Sequence, residues 1–345
     1  MTRIGLVGYG SAGRTFHAPL IAAAGLELAM VATGNPERAA QVREEVPQAT
    51  VVPDLAALLE SGGLDLVVLA SPSGVHVEQV KQVVEAGVPL VVDKPLGVDA
   101  SSALEAVDAA AQAGVPLTVF QNRRYDPEFH TLAQVVRDGS VGDVIRAELR
   151  WERWRPVPKD RWRENAPAQD GGGVLLDLFS HLVDQAVLLF GPVDTVYAEI
   201  DAHTTRAEDT AFLSCRHRGG VVSHLGSTSL AAAPGPSVRL LGSQAAFVVG
   251  ALGMEETAFT EFLPSDERHI GWLVRGAERE PVAALPGGQA DFYREVEQAL
   301  SSDDPITAMP VDPRDAVHVL AVIDAARTSA AGRRVTDVIT PGVIP

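Results

Sequence analysis

Five short, almost unbroken apolar runs lie within the first 120 residues: RIGLVG, LELAMVA, LDLVVLA, VPLVVD and VPLTVF, with amphipathic stretches between them. A strand that is apolar on both faces must be covered on both, and strands joined through helices run parallel. The pattern therefore predicts a Rossmann-like, doubly wound α/β domain over residues 1–121. The first run passes directly into GYGSAG, a G-x-G-x-x-G loop formed by Gly8, Gly10, Ser11, Ala12 and Gly13. At that place in such a fold the glycines serve a tight turn, close approach of backbone to a pyrophosphate, and helix packing. A purely structural glycine turn is the competing reading, and the strand-helix units that follow favour the nucleotide.

Past Gln121 the texture changes. DVIRAELRW, DTVYAEIDA, DTAFLSCRH, GVVSHLGSTS, SVRLLGS and AAFVVG come in succession, several alternating in polarity as half-covered antiparallel strands do. Helical patterns appear in PEFHTLAQVVRDG, GGGVLLDLFSHLVDQ, ADFYREVEQALSS and PRDAVHVLAVIDAARTSA. The second domain, residues 122–345, is expected to be α+β with a large, mostly antiparallel open sheet that carries substrate and subunit contacts. An exposed sheet face of this kind suggests a homo-oligomer, a dimer or tetramer.

A net charge of -17 with no basic tail argues against nucleic acid as the main partner. Cys215 is the only cysteine, so neither an intrachain disulfide nor a cysteine zinc cage can form, and a reducing compartment fits. His203, His217, His224 and His269 lie at no metal-ligand spacing, and no metal is expected. The apolar start of the chain is too short and glycine-rich for a signal peptide or membrane span. A cytoplasmic protein without membrane contact is the expectation.

Further candidate positions end other runs. SPSGVH places Ser71, Pro72 and His76 at the carboxyl end of LDLVVLA, where ligands bind in open α/β sheets; His76 is equally readable as a helix-start residue with a local hydrogen bond. VVDKPLG ends the next run with Asp93, Lys94 and Pro95, and a lysine between a buried strand and a proline has little freedom, although loop lysines are ordinarily solvated. In GGGVLLDLFSHLVDQ, spacings of four and three put Asp177, His181 and Asp184 near one helical face. A solvated polar edge explains that stripe as readily as a site does.

Taken together, GYGSAGRTFHAPLI, SPSGVH, DKPLG and GGGVLLDLFSHLVDQ, in this order, resemble the Gfo/Idh/MocA oxidoreductase family over nearly the whole chain. QNRRYDPEF followed by DRWRE is most similar to the branch that contains NADP-dependent scyllo-inositol dehydrogenases. The resemblance implies that Lys94, Asp177 and His181 meet over a nicotinamide ring. Asp93 stands where the family commonly has Glu, and Phe179 where many members have Gly. A cyclic polyol or sugar is then the expected small-molecule substrate, oxidised at a secondary alcohol or reduced at the ketone, with His181 taking the proton and Lys94 donating to the reacting oxygen. A nucleotide-sensing regulator and an NAD-assisted glycoside-cleaving enzyme are the alternatives on the same fold. Retention of Lys94, Asp177 and His181 together favours the enzyme.

Cofactor choice rests on VATGNPERA, where Thr33 occupies the place of the acid that binds the adenosine ribose in NAD-specific folds. Without an acid there, NADP is preferred over NAD, with Thr33, Asn35 and Arg38 as candidate phosphate ligands; Asn35 and Pro36 also read as cap and first residue of a helix. RWERWRPVPKDRWR, residues 150–163, concentrates tryptophan and arginine in an acidic chain. It reads either as a loop over the active site, with Trp162 and Arg163 against substrate, or as a structural cation-π cluster. Arg123, Arg124 and Asp184 are further candidate substrate contacts.

Overall fold

The computed structural model describes residues 1–159, 161–250 and 269–342, in two compact units. The first contains six parallel strands: β1 Arg3–Val7, β2 Glu27–Ala32, β3 Thr50–Val52, β4 Leu66–Leu69, β5 Leu90–Asp93 and β6 Leu117–Phe120. Their order, β3-β2-β1-β4-β5-β6, is the doubly wound one, so β1 and β4 flank the point where strand order reverses. Both glycine-loop and SPSGVH segments leave the sheet there. β4, β5 and β6 are buried along their whole length, as their continuous apolar runs require. β3 is three residues long and carries no readable periodicity.

The second unit holds a nine-stranded sheet: β7 Val144–Glu152, β8 Val193–Asp201, β9 Thr210–His217, β10 Val222–Thr228, β11 Val238–Gly242, β12 Ala246–Val249, β13 His269–Arg275, β14 Glu278–Ala283 and β15 Thr336–Asp337. The order is β14-β13-β12-β11-β7-β10-β9-β8-β15, antiparallel except for β7 beside β10. Side chains of β10 alternate strictly between buried and half-buried, the signature of a sheet covered on one face. The helix Ser180–Phe190 packs on β10, and Ser329, on the helix Pro313–Gly332, holds the Ala198 N–H of β8 at 2.9 Å. β13 to β15 escape the sequence pattern: β14 is exposed, charged and contains Pro281, the marks of an edge strand.

The second region is not one continuous stretch, contrary to the expectation of a domain over 122–345. Residues Gly288–Val317 belong to the first unit, and the chain returns to the second at His318. The reason lies in the helix Ala290–Leu300. Phe292 and Tyr293 are fully buried there, their ring centres 5.0 and 5.8 Å from that of Phe120 at the end of β6. The Tyr293 hydroxyl also lies 2.5 Å from Nδ1 of the buried His17. Three aromatic side chains and an imidazole bury far more apolar surface together than apart.

Candidate active site

In the first unit the glycine loop is shaped by backbone against backbone. Gly8 has φ of +95°, and a side chain there would stand 2.7 Å from the Ala70 carbonyl oxygen at the end of β4. A methyl group on Gly13 would overlap the carbonyl oxygen of Gly8. At Gly10 the nearest neighbour is the guanidinium of Arg38, 3.7 Å from where a Cβ would sit. This combination leaves a backbone cradle closed beneath and open above, with one cation over it, which fits a dinucleotide's phosphates. Tyr9, just inside the loop, is buried and donates to Glu45 at 3.0 Å, and Arg14 holds the same carboxylate at 2.9 Å. Burial and then Glu45 push the Tyr9 hydroxyl up to about 12, so it stays a donor. This brace was not readable in the sequence, because nothing local links Tyr9 to Glu45.

Asn35 caps the helix Pro36–Glu45, its Oδ1 accepting the N–H groups of Glu37 and Arg38 at 2.9 and 3.1 Å. That oxygen is therefore committed to the helix, and of the expected phosphate ligands Arg38 is the one the structure brings to the glycine loop. Thr33 leaves the sheet one residue after β2, with its N–H on the Val52 carbonyl. His76 is a correction. Its ring is buried, with Nδ1 and Nε2 each 2.9 Å from a carbonyl oxygen, of Pro95 and Ser71 respectively. Burial lowers its proton affinity, offset in part by the Pro95 carbonyl. The neutral ring donates to one of these carbonyls and abuts the other, so it is a strut between two loops and offers no free edge to a cofactor. The Ser71 hydroxyl likewise donates to Gln79 within the unit.

Asp93 ends β5 with a buried side chain that accepts the Lys94 N–H at 2.9 Å. Burial pushes its carboxyl up, but His17, Lys94 and His76 outweigh that and hold it below the ordinary carboxylate range. The carboxylate thus fixes the backbone at which half-buried Lys94 starts, and Pro95, buried, follows it.

In the second unit the glycine lead-in explains itself. Gly173 has φ of +92°, and the Glu208 carboxyl occupies the space its side chain would fill. The Gly173 N–H donates to Arg163 and the Val174 N–H to Glu208, both at 3.0 Å. Leu175–Phe179 then forms a π-helical turn, a feature concentrated at functional sites. The polar stripe that follows is not one wall. Half-buried Asp177 lines a cleft with Arg163, whose guanidinium is 3.6 Å from its carboxylate. His181 is buried and lines a second cleft, stacked on the Trp151 ring at 6.0 Å between centres. Asp184, fully buried, accepts a two-pronged bond from Arg124, at 2.9 and 2.5 Å. Arg124 and Asp184 brace each other, which corrects their reading as substrate contacts.

Trp151 lines the His181 cleft, and Arg153, which lines the Asp177 cleft, stands on its ring. Its ring carries Arg123 from the His181 side and Arg153 from the Asp177 side, each with the guanidinium carbon 4.9 Å from the ring centre. Trp162, expected against substrate, is exposed, lines neither cleft, and stacks with Arg163 at 5.2 Å. The two tryptophans are indistinguishable in RWERWRPVPKDRWR; the inward face of β7 selects Trp151. A second group escaped the sequence reading. Glu128, in the first turn of the helix Pro127–Arg137, lines the His181 cleft, and burial, then Asp126, push its carboxyl up to about 7. As a first-turn acid it looks like ordinary helix-dipole chemistry.

Residues 2–121 match the profile described as "Oxidoreductase family, NAD-binding Rossmann fold", and residues 129–248 match "GFO/IDH/MocA C-terminal domain". The chain is 35% identical to the uncharacterized oxidoreductase YdgJ of Escherichia coli, across 96% of this chain and 97% of YdgJ. It is 28% identical to the scyllo-inositol 2-dehydrogenase (NADP(+)) IolW of Bacillus subtilis, across 96% and 94%. Among solved structures it is similar to the WlbA dehydrogenase of Bordetella pertussis in complex with NADH and UDP-GlcNAcA, with a TM-score of 0.79 and 26% identity over 98% of this chain and 99% of that one.

Proposed function

Because this chain belongs to the Gfo/Idh/MocA oxidoreductase family, with an NAD-binding Rossmann domain, we propose that it is an NADP-preferring dehydrogenase or reductase acting on a secondary alcohol or ketone of a cyclic polyol or sugar. When bound, the nicotinamide supplies the acceptor or donor of hydride at carbon. The chain's own residues do the rest. Imidazole Nε2 or Nδ1 of His181 takes the hydroxyl proton during oxidation and returns it during reduction, a role suited to a group that titrates near neutrality. Lys94 donates a hydrogen bond to the oxygen as negative charge grows on it. Asp177 orients the substrate hydroxyls.

The observation that carries this reading is the buried His181 at the wall of a cleft, its ring held against Trp151: an acid-base group fixed in orientation where a substrate hydroxyl can reach it. NADP preference is supported by Arg38 over Gly10 and by the lack of any carboxylate between Thr33 and Pro36, and the name of the relative IolW agrees with it. Nicotinamide absorbance with NADP and NAD against a panel of inositols and aldoses tests it. A higher kcat/KM with NAD would overturn the cofactor preference, and no turnover of any polyol or sugar would overturn the reaction.

A further inference from the structure

The cleft at Asp177 is open to solvent and walled by charged side chains. Arg153, Arg155, Lys159, Arg161 and Arg163 all line it, in a chain with 45 acidic and only 28 basic residues. Its carboxylates are already engaged. Arg161 holds Glu164 at 2.8 Å, Arg163 is paired with Asp177, and Asp209 accepts the N–H groups of His203 and Thr204 at 3.0 and 2.7 Å. Burial pushes the carboxyl of Glu208 up, making it a poor counter-ion.

Arg153, Arg155 and Lys159 are left without an ion-pair partner among the described residues. Arg153 and Arg155 are half-buried. Burial first, then the charge of Arg155, brings the Arg153 guanidinium down to about 10, with Asp177 opposing. Half-buried cations that repel one another cost stability unless something offsets them. Guanidinium and ammonium groups only donate, so their complement is an acceptor bearing negative charge.

Resting on the oxidoreductase reading above, we infer that the substrate is an anionic sugar or polyol, whose carboxylate or phosphate is bound by Arg153, Arg155 and Lys159 while its ring lies toward Trp151. Arg153 is the link, since it lines the cationic cleft and stands on the Trp151 ring. A neutral inositol would leave all three charges unmatched and would be the weaker substrate.

Tryptophan fluorescence reads binding without turnover. The full-length protein is titrated with D-glucuronate, D-glucose 6-phosphate, D-glucose and scyllo-inositol, with inorganic phosphate and acetate as competitors. The expected result is saturation by at least one anionic sugar at a concentration ten- to a hundredfold below that for the neutral ones, the range of a lost charge-assisted hydrogen bond. The anion with the lower midpoint decides between carboxylate and phosphate. Arg155→Met should raise the KM for that anion by a similar factor while leaving the KM for the nicotinamide cofactor unchanged. Arg153→Lys, which keeps the charge, guards against a folding defect at Trp151. Anion saturation without turnover supports the pocket and overturns the reaction assignment instead. Equal binding and turnover of neutral and anionic sugars, indifferent to Arg155→Met, overturns the inference and leaves the oxidoreductase reading standing.

Discussion

The glycine loop of the first unit and the Trp151 wall of the second are built from opposite materials. The loop is backbone packed on backbone: Gly8 against Ala70, Gly13 against Gly8, with the side chain nearest Gly10, Arg38, arriving from another helix. The wall is side chain on side chain: His181, Arg123 and Arg153 around one indole. A backbone site permits one residue type at each critical position. A side-chain site permits many types at each position, and its function depends on which are chosen.

The sharpest break between the two is therefore expected at Gly13. Gly13→Ala sets a methyl group into a carbonyl oxygen, and no rotamer change can relieve it. The cost should exceed the roughly 1–3 kcal/mol of ordinary overpacking, and nucleotide binding should vanish from a titration of NADPH fluorescence. Retained binding would mean that the loop moves freely and that backbone contact does not define it.

At the wall, His181→Ala should lower kcat roughly a hundred- to ten-thousandfold with nucleotide affinity unchanged. It should also remove the limb of the pH-rate profile near neutrality. If the limb persists in His181→Ala and disappears in Glu128→Gln, the proton belongs to the carboxyl of Glu128, which titrates at about 7 in the same cleft.

The same contrast governs what the sequence makes legible. Five of the six parallel strands are readable because burial on both faces forces unbroken apolar runs, and Gly8 and Gly13 are readable because only glycine fits. β3, of three residues, and β14, charged and at an edge, carry no periodicity to read. The stripe of Asp177, His181 and Asp184 is legible as a spacing, but its meaning depends on long-range neighbours: Arg163 for the first, Trp151 for the second, Arg124 for the third. Trp151 and Trp162 illustrate the limit, since both sit in the same basic context, yet Trp151 is buried by the pleat of β7 and Trp162, past the end of that strand, is exposed. The helix Ala290–Leu300 is legible as a helix and illegible in destination, because its aromatic partners, Phe120 and His17, lie far away in sequence.

Between these extremes stands Arg38, a side chain serving a backbone site. Arg38→Met should reduce kcat/KM with NADP about ten- to a hundredfold and leave that with NAD nearly unchanged, as expected for one charge-assisted bond to a phosphate. Thr33→Asp should move preference toward NAD by supplying the missing carboxylate. Equal losses with both cofactors in Arg38→Met would show that the guanidinium supports the loop and does not read the ribose.

The smallest expected effect is one of stability, and it asks what the wall costs the fold. Burial first, and Asp126 second, raise the folded-state pKa of Glu128 to about 7, against an ordinary value of 4.5, with Arg123 opposing. Between those two values the native state holds a proton that the unfolded state releases, so the slope of stability with pH is negative across that window. The contribution of Glu128 is fully present below about 4.5, falls as pH rises through 7, and is gone above it. Glu128→Gln imitates the protonated form at every pH. The variant should therefore match the parent protein in urea unfolding at pH 4.5 and exceed it at pH 8, and thermal midpoints should show the same crossing with a difference of a few degrees at most. A variant less stable at pH 8 would mean that the carboxylate is charged and held by Arg123 in the native state. In that case the wall would carry an ion pair in place of a second proton-holding group beside His181.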